Sequence, residues 1–203
     1  LEFSGDVAKQ IVRWSFKGFV QIKHLKEVGT EFTHIIYLDS DISFLSKLGE
    51  TFKRECLPFD NDLIAIVDRS DMKKYTETGF IAWNLQHPLY KKWVELYSEM
   101  WIQHKYQKLS QWHDCAILDC TNIKIKVSKF SGIKNLSGGG DHGFISGVLG
   151  KYFDHKKGLR KYLGFSIERV VTNKFLQYIL VYSYKKFFGL ITFINIKLKK
   201  NKK

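Results

Sequence analysis

The chain has 203 residues, of which 33 are Lys or Arg and 20 are Asp or Glu, so its net charge at neutral pH is +13. This length suits one domain with at most a short appendage. The three cysteines are odd in number and form no C-x-x-C pair, which argues against a disulfide framework and a zinc site and makes a reducing compartment the default.

The positive charge is concentrated at the C-terminal end. Residues 151–203 carry 14 basic and 2 acidic side chains, whereas residues 1–150 carry 19 and 18. Such an asymmetry predicts an anionic partner for this end, which could be a membrane surface, a nucleic acid or a phosphorylated ligand.

The first elements in chain order are a helix and a strand. Apolar residues recur at helical spacing from Val7 to Val28, and Gly29 suits the position just after a helix. The next segment contains the continuous apolar run Ile35–Leu38, which is typical of a strand buried on both faces of a parallel sheet.

This strand ends abruptly at Asp39-Ser40-Asp41. Two carboxylates so close together raise each other's pKa and need a positive partner. A divalent cation would supply it, because Mg²⁺ and Mn²⁺ prefer hard oxygen ligands, and open α/β sheets bind ligands beyond the carboxyl ends of their strands. The same residues would also suit a turn in which one Asp caps the next helix. From the three residues alone, both interpretations stay open.

The remaining patterns alternate between helix and strand. They predict, in order, a helix at Leu45–Leu57, strands at Leu63–Val67 and Tyr75–Leu85, helices at Pro88–Lys108 and Trp112–Cys120, and a half-buried strand at Ile123–Val127. Gly79 lies inside the second of these strands, where a glycine often marks a bulge or the close approach of a ligand to the backbone. Alternation of this kind predicts an α/β fold with a largely parallel sheet.

Several segments, in their order along the chain, resemble GT-A type nucleotide-sugar glycosyltransferases of the family-8 kind. They are the D-x-D strand I-I-Y-L-D-S-D-I, the helix segment Arg13–Phe19, the glycine-containing strand Glu77–Leu85, the acidic motif Trp112–Ile117 and the closing segment Leu149–Gly158. The resemblance extends over roughly Val7 to Gly164.

The resemblance implies a Rossmann-like GT-A sheet flanked by helices. It divides the chain into a catalytic domain, residues 1–164, and a basic helical tail, residues 165–203. Because the family's first strand, which holds the nucleotide base, would precede Val7, and because the chain begins with Leu1, we expect the domain to be incomplete at its N-terminus.

The resemblance also implies roles for individual residues. A divalent cation, Mn²⁺ or Mg²⁺, would be held by Asp39, Asp41 and His155. The nucleotide-sugar donor would be bound by these aspartates together with Ser40, Gly79, Lys157 and Gly158. Asp114 and Glu77 are the catalytic candidates, either of which could orient the acceptor hydroxyl or act as a general base. His113 is expected to be structural.

These expectations describe a metal-dependent transfer of a sugar to a glycan or lipid-linked acceptor. The metal would neutralise the charge that develops on the departing diphosphate. The residues do not indicate whether the transfer retains or inverts the configuration at the sugar carbon.

The tail is rich in both aromatic residues and lysine. Lys185-Lys186 splits its apolar stretch, so neither half reaches the ~20 residues of a membrane-spanning helix. We expect it to lie on an anionic membrane surface, which would make the protein cytoplasmic and peripheral on a membrane. A helix packed on the body of the protein is the alternative.

Two other functions fit parts of the sequence less well. A haloacid-dehalogenase-like phosphatase also uses D-x-D after a strand, with the first Asp as nucleophile, but the later acidic pair that such an enzyme needs is not evident. A non-catalytic basic module for nucleic acid is disfavoured, since the tail has few arginines and its aromatics are too dense to be spaced stacking positions.

Overall fold

The computed structural model describes residues 5–127, 132–138 and 142–156. Its helices are α1 (Gly5–Glu27), α2 (Glu50–Cys56), α3 (Tyr90–Ile102), α4 (Asp114–Lys124) and the short α5 (Gly143–Ser146). Its strands are β1 (His34–Leu38), β2 (Ile42–Phe44), β3 (Ile64–Val67), β4 (Glu77–Asn84), β5 (Ile133–Asn135) and β6 (Phe153–His155). Single 3-10 turns occur at Ser70–Met72, Lys105–Lys108 and Val148–Lys151.

The main sheet has the strand order β1-β4-β3-β5. Strand β4 lies in its interior and runs antiparallel to both neighbours, while β3 and β5 are parallel. The predicted α/β class with a sheet flanked by helices is therefore confirmed, but the expectation of a largely parallel sheet is wrong for β4. Only residues 68–76 join β3 to β4, and a parallel crossover needs a dozen or more residues, usually including an α-helix.

Side chains of the central strands alternate between two apolar layers. Ile64, Ile66, Ile81 and Trp83 pack with α1, α3 and α4 on one face of the sheet. Ala65, Val67, Phe80 and Ala82 pack with α2 and with apolar residues from 136 to 153 on the other. All eight residues of β4 are buried. The period-2 alternation of a strand explains this division, because successive residues point to opposite faces.

The pairing of β3 with β4 is irregular at the end nearest the Asp-Ser-Asp segment. Ile66 pairs with Ile81, yet the next residue of β3, Val67, pairs with Glu77, so residues 78–80 of β4 are extra. Gly79 lies among these extra residues. This position agrees with the prediction that Gly79 marks a bulge in the strand.

Most predicted elements are present with shifted ends. The first helix begins slightly earlier than expected and ends at Glu27, and the helix predicted for Pro88–Lys108 stops at Ile102. The strand predicted at Ile123–Val127 is wrong, since α4 continues to Lys124 and Lys126 adopts a positive φ of 59°. The sequence I-K-I-K-V alternates as a strand would, but Ile123 is 74% exposed and only Ile125 and Val127 are buried.

Strand β2 belongs to a second sheet of two strands with β6. The backbone N–H of Leu45, just after β2, donates to the carbonyl of Tyr152 at 2.8 Å. The rings of Phe44 and Phe153 meet edge to face with centroids 5.4 Å apart. These contacts hold the segment after the Asp-Ser-Asp turn against residues 152 and 153.

The chain divides into two compact units, Leu1–Phe153 and Asp154–Lys203. In the second unit the structure describes only residues 154–156, so the predicted basic helical tail at 165–203 lies outside the described residues. The division at residue 164 stays a prediction. Among the helices that the structure describes, none is both long and apolar enough to cross a bilayer.

Candidate active site

The Asp39-Ser40-Asp41 segment forms a tight turn between β1 and β2. The backbone N–H of Ile42 donates to the carbonyl of Asp39 at 3.1 Å, and this bond closes the turn. The backbone N–H of Asp39 donates to the carbonyl of Gly79 at 3.0 Å. Ser40 is exposed at the tip, whereas both aspartates are half-buried. Two bonds therefore fix the turn at the end of the sheet, and Gly79 takes part through its backbone.

The carboxylates of Asp39 and Asp41 are close enough to share a cation. They offer one oxygen each, and these two oxygens lie within 4.8 Å of each other. Two oxygens that bind one Mg²⁺ at about 2.0–2.1 Å are at most about 4.2 Å apart, a separation that lies within this 4.8 Å bound. The two carboxylates are thus of the ligand type that Mg²⁺ and Mn²⁺ prefer and lie near each other.

Lys17 of α1 brings together three parts of the chain. Its Nζ lies 2.8 Å from Oδ1 of Asp39 and 2.9 Å from Oδ2 of Asp114. The same ammonium donates to the carbonyl of Thr78 at 2.8 Å and to its hydroxyl at 3.0 Å, and it lies 5.0 Å from the centre of the Tyr37 ring. The end of β1, the start of α4 and the irregular part of β4 therefore meet at one cation.

The ammonium of Lys17 and the carboxylate of Asp114 each stabilise the charged form of the other. Burial alone would lower the pKa of Lys17, but the carboxylates of Asp114 and Asp39 outweigh it and raise that pKa above its ordinary value. Burial alone would raise the pKa of Asp114, but Lys17 and the hydrogen bond from Thr78 outweigh it and lower that pKa. At neutral pH the site thus contains a buried carboxylate in its ionised form.

Thr78 connects the two charges. Its hydroxyl donates to Oδ2 of Asp114 at 2.6 Å and accepts from Lys17. Strict alternation from Phe80 would place Thr78 on the α2 face of the sheet, whereas Lys17 and Asp114 come from α1 and α4. The extra residues of β4 explain how its hydroxyl reaches these two groups, because a bulge re-aims a side chain.

Cys115 lies beside the same groups as a neutral thiol. Its Sγ is 3.5 Å from the hydroxyl of Thr78 and 3.5 Å from Oδ1 of Asp114. Burial and the neighbouring carboxylate raise its pKa to about 12. Because the thiolate is the nucleophile, this cysteine is not activated for attack at neutral pH.

Glu77, the other catalytic candidate, forms an ion pair. Its Oε2 lies 3.5 Å from Nη1 of Arg69, and the residue is 7% exposed. Arg69 is itself held by a bond from its Nε to the carbonyl of Tyr75 at 2.9 Å. The structure thus joins Asp114 to Asp39 through Lys17, and it places Glu77 beside a different cation.

A second group of metal-ligand types, His113, Asp114 and Cys115, also has ligand atoms within 4.8 Å of one another. Nδ1 of His113 accepts from the backbone N–H of Ala116 at 3.2 Å as the N-cap of α4, so its proton lies on Nε2, which contacts Oε1 of Gln111 at 2.7 Å. Burial lowers the pKa of His113, in keeping with a neutral ring. His113 thus caps α4, whereas Asp114 belongs to the candidate active site through its contact with Lys17.

The roles predicted for all the site residues stay predictions, and three of these residues lie near or beyond the end of the described chain. His155 is the last residue of β6 and belongs to the second compact unit. Lys157 and Gly158 lie outside the described residues. Their roles as a third metal ligand and as donor-binding residues rest on the sequence.

No sequence motif assigns a role to Lys17. A signal for it exists in α1, where Trp14 and Gln21 stand three residues before and four residues after it and both face the protein interior. A lysine at such a position lies at the border of the apolar face, so it either extends to solvent or finds a buried carboxylate.

Comparison with known proteins gives weak likeness to solved structures and no match at the level of sequence. No protein-family model matches the chain, and no curated protein does. Among solved structures, the chain is similar to the apo form of mouse xyloside xylosyltransferase 1, with a TM-score of 0.38 and 17% sequence identity. The match covers 59% of this chain and 50% of the mouse chain, so the chain spans about half the length of that protein. The matched structure is that of a glycosyltransferase.

Proposed function

We propose that this chain is the catalytic part of a metal-dependent glycosyltransferase, which moves a sugar from a nucleotide-sugar donor to a glycan or lipid-linked acceptor. The observation that carries the proposal is the contact of Lys17 with both Asp39 and Asp114 at the carboxyl end of β1. This contact brings together the Asp39-Asp41 turn, whose carboxylates are the proposed metal ligands, the ammonium of Lys17 and the buried, ionised carboxylate of Asp114.

The Asp39-Asp41 turn is the part that would bind the diphosphate through a metal. A divalent cation held there supplies Lewis-acid stabilisation of the leaving group. His155 is proposed as the third ligand, on the basis of the sequence order. Ser40 is exposed at the tip of the turn and can donate its hydroxyl to a phosphate oxygen.

Lys17 would contribute a second positive charge without changing its protonation state. Its raised pKa keeps it an ammonium throughout the neutral range, and its bonds to Thr78 fix its position. Fixed charges aimed at developing negative charge cost no reorganisation during the reaction. We propose Lys157 and the backbone at Gly158 as further phosphate contacts.

Asp114 suits the binding of sugar hydroxyls better than proton abstraction. A general base works best with a pKa near the operating pH, and the pKa of Asp114 is lowered below its ordinary value of 3.8. An ionised, buried carboxylate instead accepts strong hydrogen bonds from hydroxyl groups, as Asp114 does from Thr78. We therefore propose that Asp114 orients the transferred sugar and that Glu77 remains the candidate for the acceptor side.

The cellular location belongs to the same proposal. We place the protein in the cytoplasm, peripheral on a membrane, on the basis of the cysteine usage and the charge of residues 165–203.

The test is a thermal-shift screen of UDP-, GDP-, ADP- and CMP-linked sugars, with Mn²⁺ or with a chelator. A ligand that binds only the native state raises the melting temperature by mass action. We expect one nucleotide class to raise it when Mn²⁺ is present and to have no effect in chelator. Stabilisation that is equal in chelator would refute the metal role, and the absence of any effect of nucleotide sugars on the full-length protein would refute the transferase proposal.

A further inference from the structure

Helix α1 is apolar on two opposite sides. One side packs in the core through Trp14, Gly18, Ile22 and Leu25. On the other side four apolar residues are exposed: Val12 is 55% exposed, Phe16 67%, Phe19 43% and Val20 49%. Phe16, Phe19 and Val20 follow Val12 by four, seven and eight residues, which is the spacing of residues on one face of a helix. We call these four residues the outer face of α1.

The outer face is bordered by cations. Arg13, Lys23 and Lys26 are all exposed. The sequence from Val7 to Lys26 contains no Asp or Glu, so no acid lies between these residues along the helix. The exposed acid Glu27 follows Lys26 at the end of α1, so the border is mainly basic. An exposed apolar stripe with a mainly basic border is typical of a helix that lies in a lipid interface, with its lysines reaching the headgroups.

We propose that the outer face of α1 docks onto an anionic lipid surface. A second copy of the chain does not suit this face, because two such faces would bring Arg13 and the lysines of one copy against those of the other. The four side chains project from a convex helix surface, and a lipid interface accommodates a convex helix without needing a matching groove. Anionic headgroups complement the basic border directly.

The same helix carries Lys17 on its other flank. One residue after the exposed Phe16, Lys17 contacts Asp39 and Asp114. A helix that lies on a membrane through its outer face would therefore keep the candidate active site close to the lipid surface. The docking itself does not depend on the proposed transferase activity; only the corollary that the acceptor is membrane-borne rests on it.

The experiment measures the polarity around the outer face in the intact chain. Membrane binding by another part of the protein would then give no signal at this position. An environment-sensitive fluorophore is attached through Val20→Cys in a background with Cys115→Ser and Cys120→Ser, because the remaining Cys56 is fully buried. The matched control carries the same label through Ile123→Cys, at a position 74% exposed on α4. Circular dichroism and melting temperature establish that both labelled proteins are folded.

With phosphatidylglycerol vesicles we expect the label at position 20 to shift to the blue and to be quenched by lipids with a quencher in the acyl chain, whereas the label at 123 changes little. Pure phosphatidylcholine vesicles should give a smaller effect. High salt should weaken the response, since the screening length falls from about 10 Å at 0.1 M to about 3 Å at 1 M.

Three results would overturn the proposal. One is a position-20 label that stays aqueous while the protein co-sediments with the vesicles. Another is a failure of the intact chain to bind anionic vesicles at all. The third is a label that is already blue-shifted before vesicles are added, which would mean that protein covers the face. None of these outcomes depends on turnover, so they leave the nucleotide-sugar test unaffected.

Discussion

The ammonium of Lys17 and the carboxylate of Asp114 lie 2.9 Å apart, although 97 positions separate the two residues in the sequence. The pair connects the first helix to the start of α4. Through Asp39, 2.8 Å away, it also reaches the end of β1. A single charge thus joins three elements that the sheet alone does not bring into contact.

Removal of this cation should destabilise the fold. In Lys17→Met, Asp114 would remain buried without its positive partner, and breaking a buried pair by loss of one member costs about 3 kcal/mol or more. Urea unfolding at pH 7 measures the loss. Lys23→Met is the matched control, an exposed lysine on the same helix that should change stability by less than about 0.5 kcal/mol. Equal effects of the two substitutions would contradict the buried pair.

The pair should also give the stability a defined pH dependence. The pKa of Asp114 is lowered from 3.8, so its contribution is present above that pH and is lost as the pH falls through the folded-state value. The pKa of Lys17 is raised from 10.5, so its contribution is fully present below 10.5.

In Lys17→Met, burial without the cation raises the pKa of Asp114 above 3.8, so the difference in unfolding free energy between wild type and the variant should be largest near neutral pH and should shrink on acidification, beginning above pH 3.8. Unfolding curves at a series of pH values from neutral down to about pH 3 measure it. A difference that does not change on acidification would show that Asp114 is not held ionised by Lys17.

Gly18 should be intolerant of even one methyl group. An added Cβ would overlap the indole of Trp101, which is fully buried, and would lie 2.6 Å from its Nε1. Gly18→Ala should lose about 1–3 kcal/mol from overpacking, in spite of the ~1 kcal/mol by which Ala favours a helix over Gly.

Gly49→Ala is the control for Gly18, since nothing lies within 4 Å of the added Cβ there. It caps α2, where the same change should cost less than about 1 kcal/mol. Thermal unfolding compares the two variants. A Gly18→Ala protein as stable as wild type would mean that the helix and Trp101 are less closely packed than the structure indicates.

Asp41→Asn should weaken Mn²⁺ binding without a large loss of stability. Asp41 is preferable to Asp39 for this test because Asp39 also pairs with Lys17, so its removal would change the fold and the metal site together. Loss of a ligand charge should reduce affinity by more than the ~10-fold typical of an outer partner.

Electron paramagnetic resonance of free Mn²⁺ measures this affinity. Asp60→Asn is the control, an exposed acid whose positive φ of 50° asparagine tolerates. Unchanged Mn²⁺ affinity in Asp41→Asn would exclude the turn as the metal site.

The sequence was most informative where a strand ends in polar residues, although the prediction of a strand buried on both faces is wrong for β1, which is half-buried at the edge of the described sheet. The apolar run before Asp39 and the position of Asp114 at a helix start both follow from local patterns, and the structure places these two acids around one cation. Their spacing of two residues made Asp39 and Asp41 candidates for a ligand pair, although a turn in which one Asp caps the next helix suited the same residues.

The other features of the fold and of the candidate site depend on contacts and connections that no local sequence pattern contains. Lys17 looks like a border residue of an amphipathic helix until the sheet fixes which carboxylates it meets. The direction of β4 depends on the length of residues 68–76, which strand periodicity ignores. The alternation after Asn122 suits a strand as well as a helix end, and the helical backbone up to Lys124 together with the 74% exposure of Ile123 decides between them.

The interior position of β4 has a consequence for the order in which the chain folds. Its partner β3 is joined to it by residues 68–76, whereas its other partner, β1, is separated from it by residues 39–76. Closing the longer loop costs more conformational entropy, and pairing at greater separation is slower. We expect the β3–β4 hairpin to be structured in the transition state, with Ile66→Val slowing folding, and β1 to join later, with Ile36→Val mainly accelerating unfolding. Folding and unfolding rates measured against denaturant concentration would show the reverse pattern if β1 docks first.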